Sequence, residues 1–412
     1  MEGGSRAGKR LLVLGAGPAQ LGLLETAQAR GLYVVACDRD PAAVGFRHAD
    51  RRAIISVEDE PAIDRLATAE HIDGVIAPGI DFPVAVAARI AERLNLRHPL
   101  PASAALLATS KLRQRERFAE AGVPQARCSA CAGLEEGLVA ARARGFPCVV
   151  KPPDRQGQRG LAVVEGPDGF ADAFEQALEQ ARGSVVLVEE LVPGPELTVN
   201  GFSTGGRFQP LTVTDRVVAE PPAFGVALAH VWPSELPAED VAHAVEVARA
   251  AASALGIREG PTYTQIVVGP DGPRVMELAA RLGGGHDAEL CHAALGVDLN
   301  GLAVSAALGE PVSEADLRPD AVAGGACVLF LVPPEGALES VEGTEEAAAG
   351  EGVGWVRVYR EPGFVFGPLR RGSDRAGAVL AVGETRGQAL ERAARAAQNV
   401  RFRVVAEALV QP

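Results

Sequence analysis

Lysine is rare in this chain, and its positions are informative. Of the 40 Lys and Arg residues only three are lysines (Lys9, Lys111 and Lys151), which leaves 40 − 3 = 37 arginines. An ammonium is a compact point charge that fits a single phosphate oxygen, whereas a planar guanidinium recognises oxygens in pairs. Lys151 ends the run Phe146-Pro-Cys-Val-Val-Lys and is followed by Pro-Pro-Asp-Arg-Gln-Gly157-Gln-Arg-Gly160-Leu161. Glycines let a backbone close over a ligand with its N–H groups turned inward, so a lysine at the end of a buried strand followed by such a loop would cover a polyphosphate. The competing reading is a plain solvated hairpin, which needs no lysine there.

Two further clusters bear chemistry. Val185-Val-Leu-Val-Glu189-Glu190-Leu-Val192-Pro-Gly194-Pro-Glu196 is an apolar strand that ends in two carboxylates, turns, and meets a third. Taken alone, a solvated strand edge explains it equally well. Val275-Met-Glu277-Leu-Ala-Ala-Arg281-Leu-Gly-Gly284-Gly-His286-Asp287 places a carboxylate on a strand, an arginine four residues later, and three glycines together. That set suits a metal ion, an oxyanion and the close approach of a substrate.

These residues must be held by something. At 412 residues the chain is long enough for two to three domains. Its first hundred residues alternate strand signals (Arg10–Leu14, Tyr33–Cys37, Ala53–Ser56, Gly74–Ala77) with helical ones (Ala19–Arg30, Pro83–Leu94), which predicts a parallel α/β sheet. Gly15-Ala16-Gly17 is an anion-binding type of turn, but Gln20 stands where the dinucleotide fingerprint needs glycine. His98-Pro-Leu-Pro101 reads as a linker and Lys111–Ala121 as a helix. Five antiparallel-looking strands follow between Cys148 and Val218, then a long helix over Ala238–Leu255 and a hairpin of Tyr263–Val268 with Arg274–Leu278. After Pro311 come strands at Ala326–Val332, Gly354–Tyr359 and Ala378–Val382 and a helix at Arg386–Asn399; the acidic stretch Ala337–Gly352 reads as a surface loop.

Composition removes several function classes. A net charge of −13 and 4% aromatic residues offer neither the field nor the stacking platforms of a nucleic-acid binder. No apolar run reaches the ~18–20 residues of a membrane span. Arg6–Leu14 mimics a signal peptide, but its apolar part runs straight into Gly15-Ala-Gly-Pro18 with no cleavage-like site, so the expected location is cytoplasmic. Six cysteines in so long a chain are not a disulfide framework, and Cys128-Ser-Ala-Cys131 reads as a coincidence of spacing.

The three clusters together resemble the ATP-grasp superfamily, specifically its carboxylate–amine ligase branch of L-amino acid (dipeptide) ligases, purine-pathway enzymes and carbamoyl-phosphate-synthetase-type modules. The resemblance implies a parallel pre-ATP-grasp Rossmann-like domain over residues 1–100. It also implies a two-part ATP-grasp domain over 101–318 with a mobile lid at about 113–187, and a C-terminal cap over 319–412. Lys111 and Lys151 fall on the two nucleotide lysines, so both interior lysines of an arginine-biased chain are accounted for. Gly157 and Gly160 belong to the phosphate loop; Glu190 and Val192 would hold adenine through their backbone; Glu189 lies beside it and Glu196 would bind the ribose. Glu277 becomes a magnesium ligand (manganese being an alternative). Arg281 becomes the catalytic arginine that, with Lys151, faces the transferred phosphoryl group. His230, Gly284 and His286 border the substrate pocket, either histidine being equally readable as packed structure. Small carboxylate and amine substrates are expected, as homodimer formation is among relatives.

The chain departs from the pattern at the first metal position, where Gln265 replaces an acid, and at Ala279, where many members have Asn. An amide oxygen supplies no charge, so one metal should survive and a second be weak. The leading expectation is an ATP-dependent ligase that forms an acylphosphate. The alternatives are a nucleotide-binding protein with impaired catalysis, motivated by Gln265, and a purine- or carbamate-type substrate. An oxidoreductase built on Gly15–Asp38 would leave Lys111, Lys151 and Glu277 unexplained.

Overall fold

A computed structural model describes residues 8–220, 223–320 and 322–405. Arg6, at the start of the signal-like stretch, lies outside them, as do the outermost residues of the first and last expected domains. Arg10–Leu14 is an inner strand of a four-stranded parallel sheet, flanked by Tyr33–Asp38 and Gly74–Ile76, with Arg51–Ile54 at one edge. Its run Leu11 to Leu14 is wholly buried, as expected of a parallel strand covered by helices on both faces. The helices are Leu21–Ala29, Glu60–Ala69 and Phe82–Arg93.

The large sheet is antiparallel, with eight strands in the order Gly272–Ala279, Gly260–Gly269, Glu196–Thr204, Arg207–Val218, Ala227–Trp232, Gly325–Leu331, Gly377–Gly383 and Val353–Val358. Its last three strands come from beyond residue 318, so the C-terminal segment continues the same ladder. A separate four-stranded sheet is ordered Cys128–Cys131, Val186–Glu190, Cys148–Lys151, Ala162–Val164. The helices Leu134–Arg144 and Phe170–Gln180 cover it. All six cysteines are free, and Cys128 and Cys131 are simply the two ends of an edge strand.

One expectation is corrected. Ala337–Gly352 is not a loop: Gly336–Glu342 is a strand paired with Arg401–Val405, and Thr344–Ala348 is a short helix. Leu338 is buried, whereas Glu342 takes Arg403 at 2.5 Å on the exposed side. Small and acidic residues concealed this alternation, which a cross-strand row of arginines completes.

The packing groups the chain differently from its linear order. Leu12 and Leu14 of the parallel sheet, with Ile90 of the helix Phe82–Arg93 that covers it, share one apolar cluster with Phe118, Leu197, Val275 and Leu278. Leu11 and Val13, on the opposite face, share another with Leu290, Val304 and Val328. The small sheet has its own cluster, drawn wholly from Cys131 to Val188. Within the stretch expected as a lid from residue 113, the helix Lys111–Glu120 packs with the large sheet through Phe118. Gln114 fixes it there: its Nε2 donates to Leu278 O at 2.8 Å and its Oε1 accepts from Leu278 N at 3.0 Å. Among the described residues, no helix is long and apolar enough to cross a membrane.

Candidate active site

A cavity of about 850 Å³ lies where the parallel sheet, the large sheet and the small sheet meet. Lys111, Lys151, Gly157, Glu189, Glu190, Val192, Glu196, His230, Gln265, Glu277, Arg281, Gly284 and His286 all line it. Of the residues singled out in the sequence, Gly160 alone does not. A Cβ there would meet Gln180 at 2.9 Å, so this glycine faces the neighbouring helix, and with φ +70° it shapes the loop rather than touching a ligand. Gly157, at φ +67°, has open space in front of it.

Cross-strand register sets the centre of the site. Gln265 and Glu277 are direct partners in the antiparallel hairpin, and Gln265 is also opposite Thr198. Side chains of such a pair emerge on one face with Cβ atoms about 5 Å apart. Gln265 donates to Tyr263 Oη at 3.1 Å, while its Oε1 accepts no hydrogen bond from the described residues. Lys111, the first residue of its helix, reaches Glu277 Oε1 at 2.8 Å and Arg155 O at 2.7 Å. Burial acts to raise the Glu277 carboxyl, but Lys111 and the other cations outweigh it and hold it below the ordinary carboxylate range.

Behind the loop that follows Lys151 sits an ion cluster that local spacing could not announce. Glu189, 2% exposed, takes Lys151 Nζ at 2.7 Å and Arg115 Nε at 2.8 Å. Burial opposes its ionisation, yet the two cations draw it down to about 2. Arg115 also donates to Met276 O at 2.8 Å, which ties the small sheet to the hairpin. Burial pushes the Lys151 ammonium below the usual lysine range, against the pull of Glu189. Glu190 turns its carboxylate to Arg127, at 2.6 Å, and to Arg274, and its backbone N–H donates to Arg127 O at 3.0 Å. Glu196 is held by buried Arg216.

Arg281 is clamped by Asp81, Nε to Oδ1 at 2.8 Å and Nη2 to Oδ1 at 2.6 Å, and lies 5.4 Å from the Tyr263 ring centroid. Burial raises the Asp81 carboxyl against the pull of Arg281. Asp81 N also donates to Gln156 Oε1, in the loop after Lys151, at 2.5 Å. Sequence reading missed Asp81. The signal was its place just beyond the carboxyl end of the parallel strand Gly74–Ile76, where α/β sheets put their ligand-binding residues.

The two histidines differ. His230, 2% exposed, has Nδ1 3.3 Å from Asp287 Oδ1 but without hydrogen-bonding geometry. Burial lowers it to about 4, so it is neutral at pH 7. His286 holds a left-handed backbone (φ +60°), bonds Tyr359 Oη at 2.5 Å and Glu289 Oε1 at 3.0 Å, and sits 4.9 Å from the Trp355 ring. Its two ring nitrogens are both engaged by protein, which makes it a brace of the pocket wall.

A magnesium ion fits this set only with help. Among the described residues no group of three or more His, Cys, Asp and Glu could hold a metal. One carboxylate facing one amide oxygen with no hydrogen bond can hold an ion that takes its remaining ligands from phosphates and water.

Residues 144–289 match the ATP-grasp domain family, and residues 329–405 match the L-amino acid ligase C-terminal domain 2. An uncharacterized protein, y4rH, of Sinorhizobium fredii is 30% identical over 383 residues, which is 90% of this chain and 77% of that one. A formate-dependent phosphoribosylglycinamide formyltransferase of Parasynechococcus marenigrum is 32% identical over 188 residues; the alignment takes in 45% of this chain and 48% of that enzyme. The crystal structure of an L-amino acid ligase from Bacillus licheniformis superposes with a TM-score of 0.82 over 96% of this chain and 99% of the other, at 21% identity.

Proposed function

We propose, because the chain belongs to the ATP-grasp family in its carboxylate–amine ligase branch, that it uses ATP to activate a small carboxylate as an acylphosphate and joins it to an amine, releasing ADP and phosphate. The observation that carries this reading is the convergence of Lys111, Lys151, Glu277 and Arg281 on one cavity. The backbone at Glu190 and Val192 would take the adenine, Glu196 the ribose hydroxyls, and the loop around Gly157 the phosphates. Magnesium, held by Glu277 with Gln265 and the nucleotide phosphates, would neutralise phosphate charge.

The chain's own groups then divide the work. Lys111 and Lys151 balance charge on the phosphoryl oxygens while a substrate carboxylate attacks the γ-phosphorus. Arg281 is released from Asp81 by an arriving anion, and faces first the transferred phosphoryl group and then the tetrahedral oxyanion formed by the amine. The loop from Gln156 to Leu161 closes over the phosphates and excludes water that would hydrolyse the acylphosphate. No protein nucleophile is needed.

An amino acid as the carboxylate is favoured by the ligase-type match at residues 329–405. A purine-type reaction has its own support in the 32% identical formyltransferase segment. ADP and phosphate release with Mg-ATP, measured for amino acids singly and in pairs and for formate with phosphoribosylglycinamide, separates the two. Release confined to an amino-acid pair establishes the ligase and names both substrates. Release with formate alone among the acids transfers the assignment to the purine reaction. If ATP binds and nothing releases ADP, Gln265 is the cause to test, and Gln265→Glu should then restore turnover.

A further inference from the structure

We infer that Tyr359, backed by His286 and Glu289, is the acid–base group of the amine step: its hydroxyl takes a proton from the acceptor's ammonium and so frees the nucleophile. This rests on the acylphosphate reading above and gives a residue to the one step that the lysines and Arg281 do not serve.

At neutral pH most aliphatic amines are ammonium ions, which have no lone pair for the acyl carbon. The carboxylates that line the cavity are committed elsewhere. Asp38 accepts the N–H groups of Ala16 at 2.9 Å and Asp40 at 3.0 Å, and each of the others faces an arginine or a lysine, as Asp215 faces Arg386 and Glu277 faces Lys111. His230 has no hydrogen-bond partner at Nδ1 among the described residues, and burial lowers it to about 4, too weak a base for an ammonium. His286 is placed differently. Burial opposes the ionisation of Glu289, but His286 and Arg357 draw it down to about 2. Such a carboxylate can only accept, so its 3.0 Å contact with His286 assigns a proton to Nδ1. Nε2 is then the basic nitrogen, and it faces Tyr359 Oη at 2.5 Å. Arg357 Nη1, 3.2 Å from Nδ1, donates to the same carboxylate at 2.6 Å, and a guanidinium does not give up its proton. The trio therefore has one open end, Tyr359, which is 6% exposed and lines the cavity. A hydroxyl held by an imidazole that a carboxylate orients is an arrangement suited to moving protons.

The position of Tyr359 suits the step. Tyr359 and Tyr263 both act on Arg375, and the Tyr263 ring centroid lies 5.4 Å from Arg281. The ammonium gives one proton to Tyr359 Oη as the hydroxyl's own proton passes to His286 Nε2, and the imidazolium rests against Glu289. The freed amine attacks the acyl carbon. The C–N bond forms, the acyl C–O bond to phosphate breaks, and phosphate leaves with the electron pair and takes the second proton of the nitrogen. The imidazolium returns its proton through Tyr359 when the site opens. Burial holds the Tyr359 hydroxyl above the ordinary tyrosine range, against Arg375 and Arg357, so it passes a proton on without ionising. The charged and titratable groups around the trio are Glu289 on the helix that His286 opens, Arg357 from the edge strand, Arg375 from the C-terminal segment, and His230 with Asp287 behind it.

Hydroxylamine separates this step from the one before it, because it is unprotonated at neutral pH and needs no base. The full chain with Mg-ATP receives each L-amino acid, or formate, as the acid. The acceptor is either hydroxylamine, read as hydroxamate, or the pooled L-amino acids with phosphoribosylglycinamide, read as ADP. Tyr359→Phe should keep hydroxamate formation and lose about a hundredfold of the ADP release with the ammonium acceptors. Raising the pH, so that the acceptor sheds its proton in solution, should shrink that defect. His286→Asn, which tolerates the left-handed backbone at φ +60°, should repeat the pattern. A defect that is absent, equal for both kinds of acceptor or constant across pH would overturn the assignment. So would a wild-type protein that forms hydroxamate but couples no ammonium-bearing acceptor, which would leave the acylphosphate reading intact. No hydroxamate with any acid would overturn both.

Discussion

The two α/β units that flank the large sheet are built in opposite ways. The parallel sheet at the N-terminus buries both faces in cores it shares with the large sheet, so it has no apolar interior of its own. The small sheet that carries Lys151 has a private core, and it is fastened to the rest chiefly by polar contacts: Glu189 with Arg115, Gln156 with Asp81, Arg182 with Glu58. Shared apolar burial makes a rigid floor, while a private core with polar fasteners makes a unit that can lift as one body. On the proposed reading, Lys151 rides on the unit with the private core, which would be the movable part, and Glu277 and Arg281 stay on the part with the shared core.

The largest effects should come where the two parts meet the nucleotide. Lys151→Ala should lower ATP turnover by about a thousandfold, the range seen when one charge-stabilising group is removed from a phosphoryl-transfer site, while circular dichroism stays native. Unchanged ADP release would remove the nucleotide assignment. Glu277→Gln tests the fixed part: turnover should fall about a hundredfold or more, and Mg-ATP binding should lose its dependence on magnesium in a calorimetric titration. A fully active variant would place the metal elsewhere.

The packing contrast can be tested directly with two phenylalanines. Phe118 belongs to the shared core and Phe174 to the private one, and both are essentially unexposed. Each truncation to alanine should cost about 3–5 kcal/mol locally. Phe118→Ala should lower the unfolding temperature of the whole chain. Phe174→Ala should accelerate hydrogen exchange across residues 128–190 while amides of the 260–279 hairpin keep their protection. Equal loss of protection in both regions would show that the small sheet is not an independent unit.

A pH effect of about 3 kcal/mol should belong to the fixed part. His230 has a folded value near 4 against about 6.5 unfolded, so the unfolded chain binds the extra proton first. Stability should be complete above pH 6.5 and decline as pH falls toward 4, and His230→Gln should flatten that limb of the unfolding curve. The carboxylate Glu189 acts in the same direction but lower, below its unfolded value of about 4.3 and down toward 2, so the two limbs are separable.

What the sequence made legible follows from locality. Lys111, Lys151, Glu277 and Arg281 stood out because each is an unusual residue in a short, punctuated context. The hairpin could be read from its two strand signals and the turn between them, whereas Gln265 was picked out only through the family resemblance and its pairing with Glu277 is given by the structure. Asp81 and Arg115 were not legible. Each works through a partner far along the chain, as Arg281 and Asp81 do across 200 residues, and an arginine has no local signature among 37. The helices Leu134–Arg144 and Phe170–Gln180 were missed because short amphipathic stretches rich in Ala and Glu carry little signal until a sheet buries them. The acidic strand Gly336–Glu342 was concealed for the converse reason, its partners being arginines of the chain's last strand.

The smallest effect should come from the fastening at the outer edge of the movable unit. Arg182 donates to Glu58 at 2.5 Å and stacks over Phe82, its guanidinium carbon 3.7 Å from the ring centroid, so one side chain bridges the small sheet to the parallel one. Glu58 is half exposed, so the ion pair itself contributes only about 0–1 kcal/mol, with the stacking adding a similar amount. Arg182→Ala should therefore leave the unfolding temperature nearly unchanged, yet raise the KM for ATP a few-fold by shifting the unit toward its open position. Arg182→Lys, which keeps the charge and loses the planar stack, should fall between the two. If the KM is unaltered in both, the closed position is held by Gln156 and the Glu189 cluster alone. The comparison between the units then sharpens to a hinge and a single inner latch.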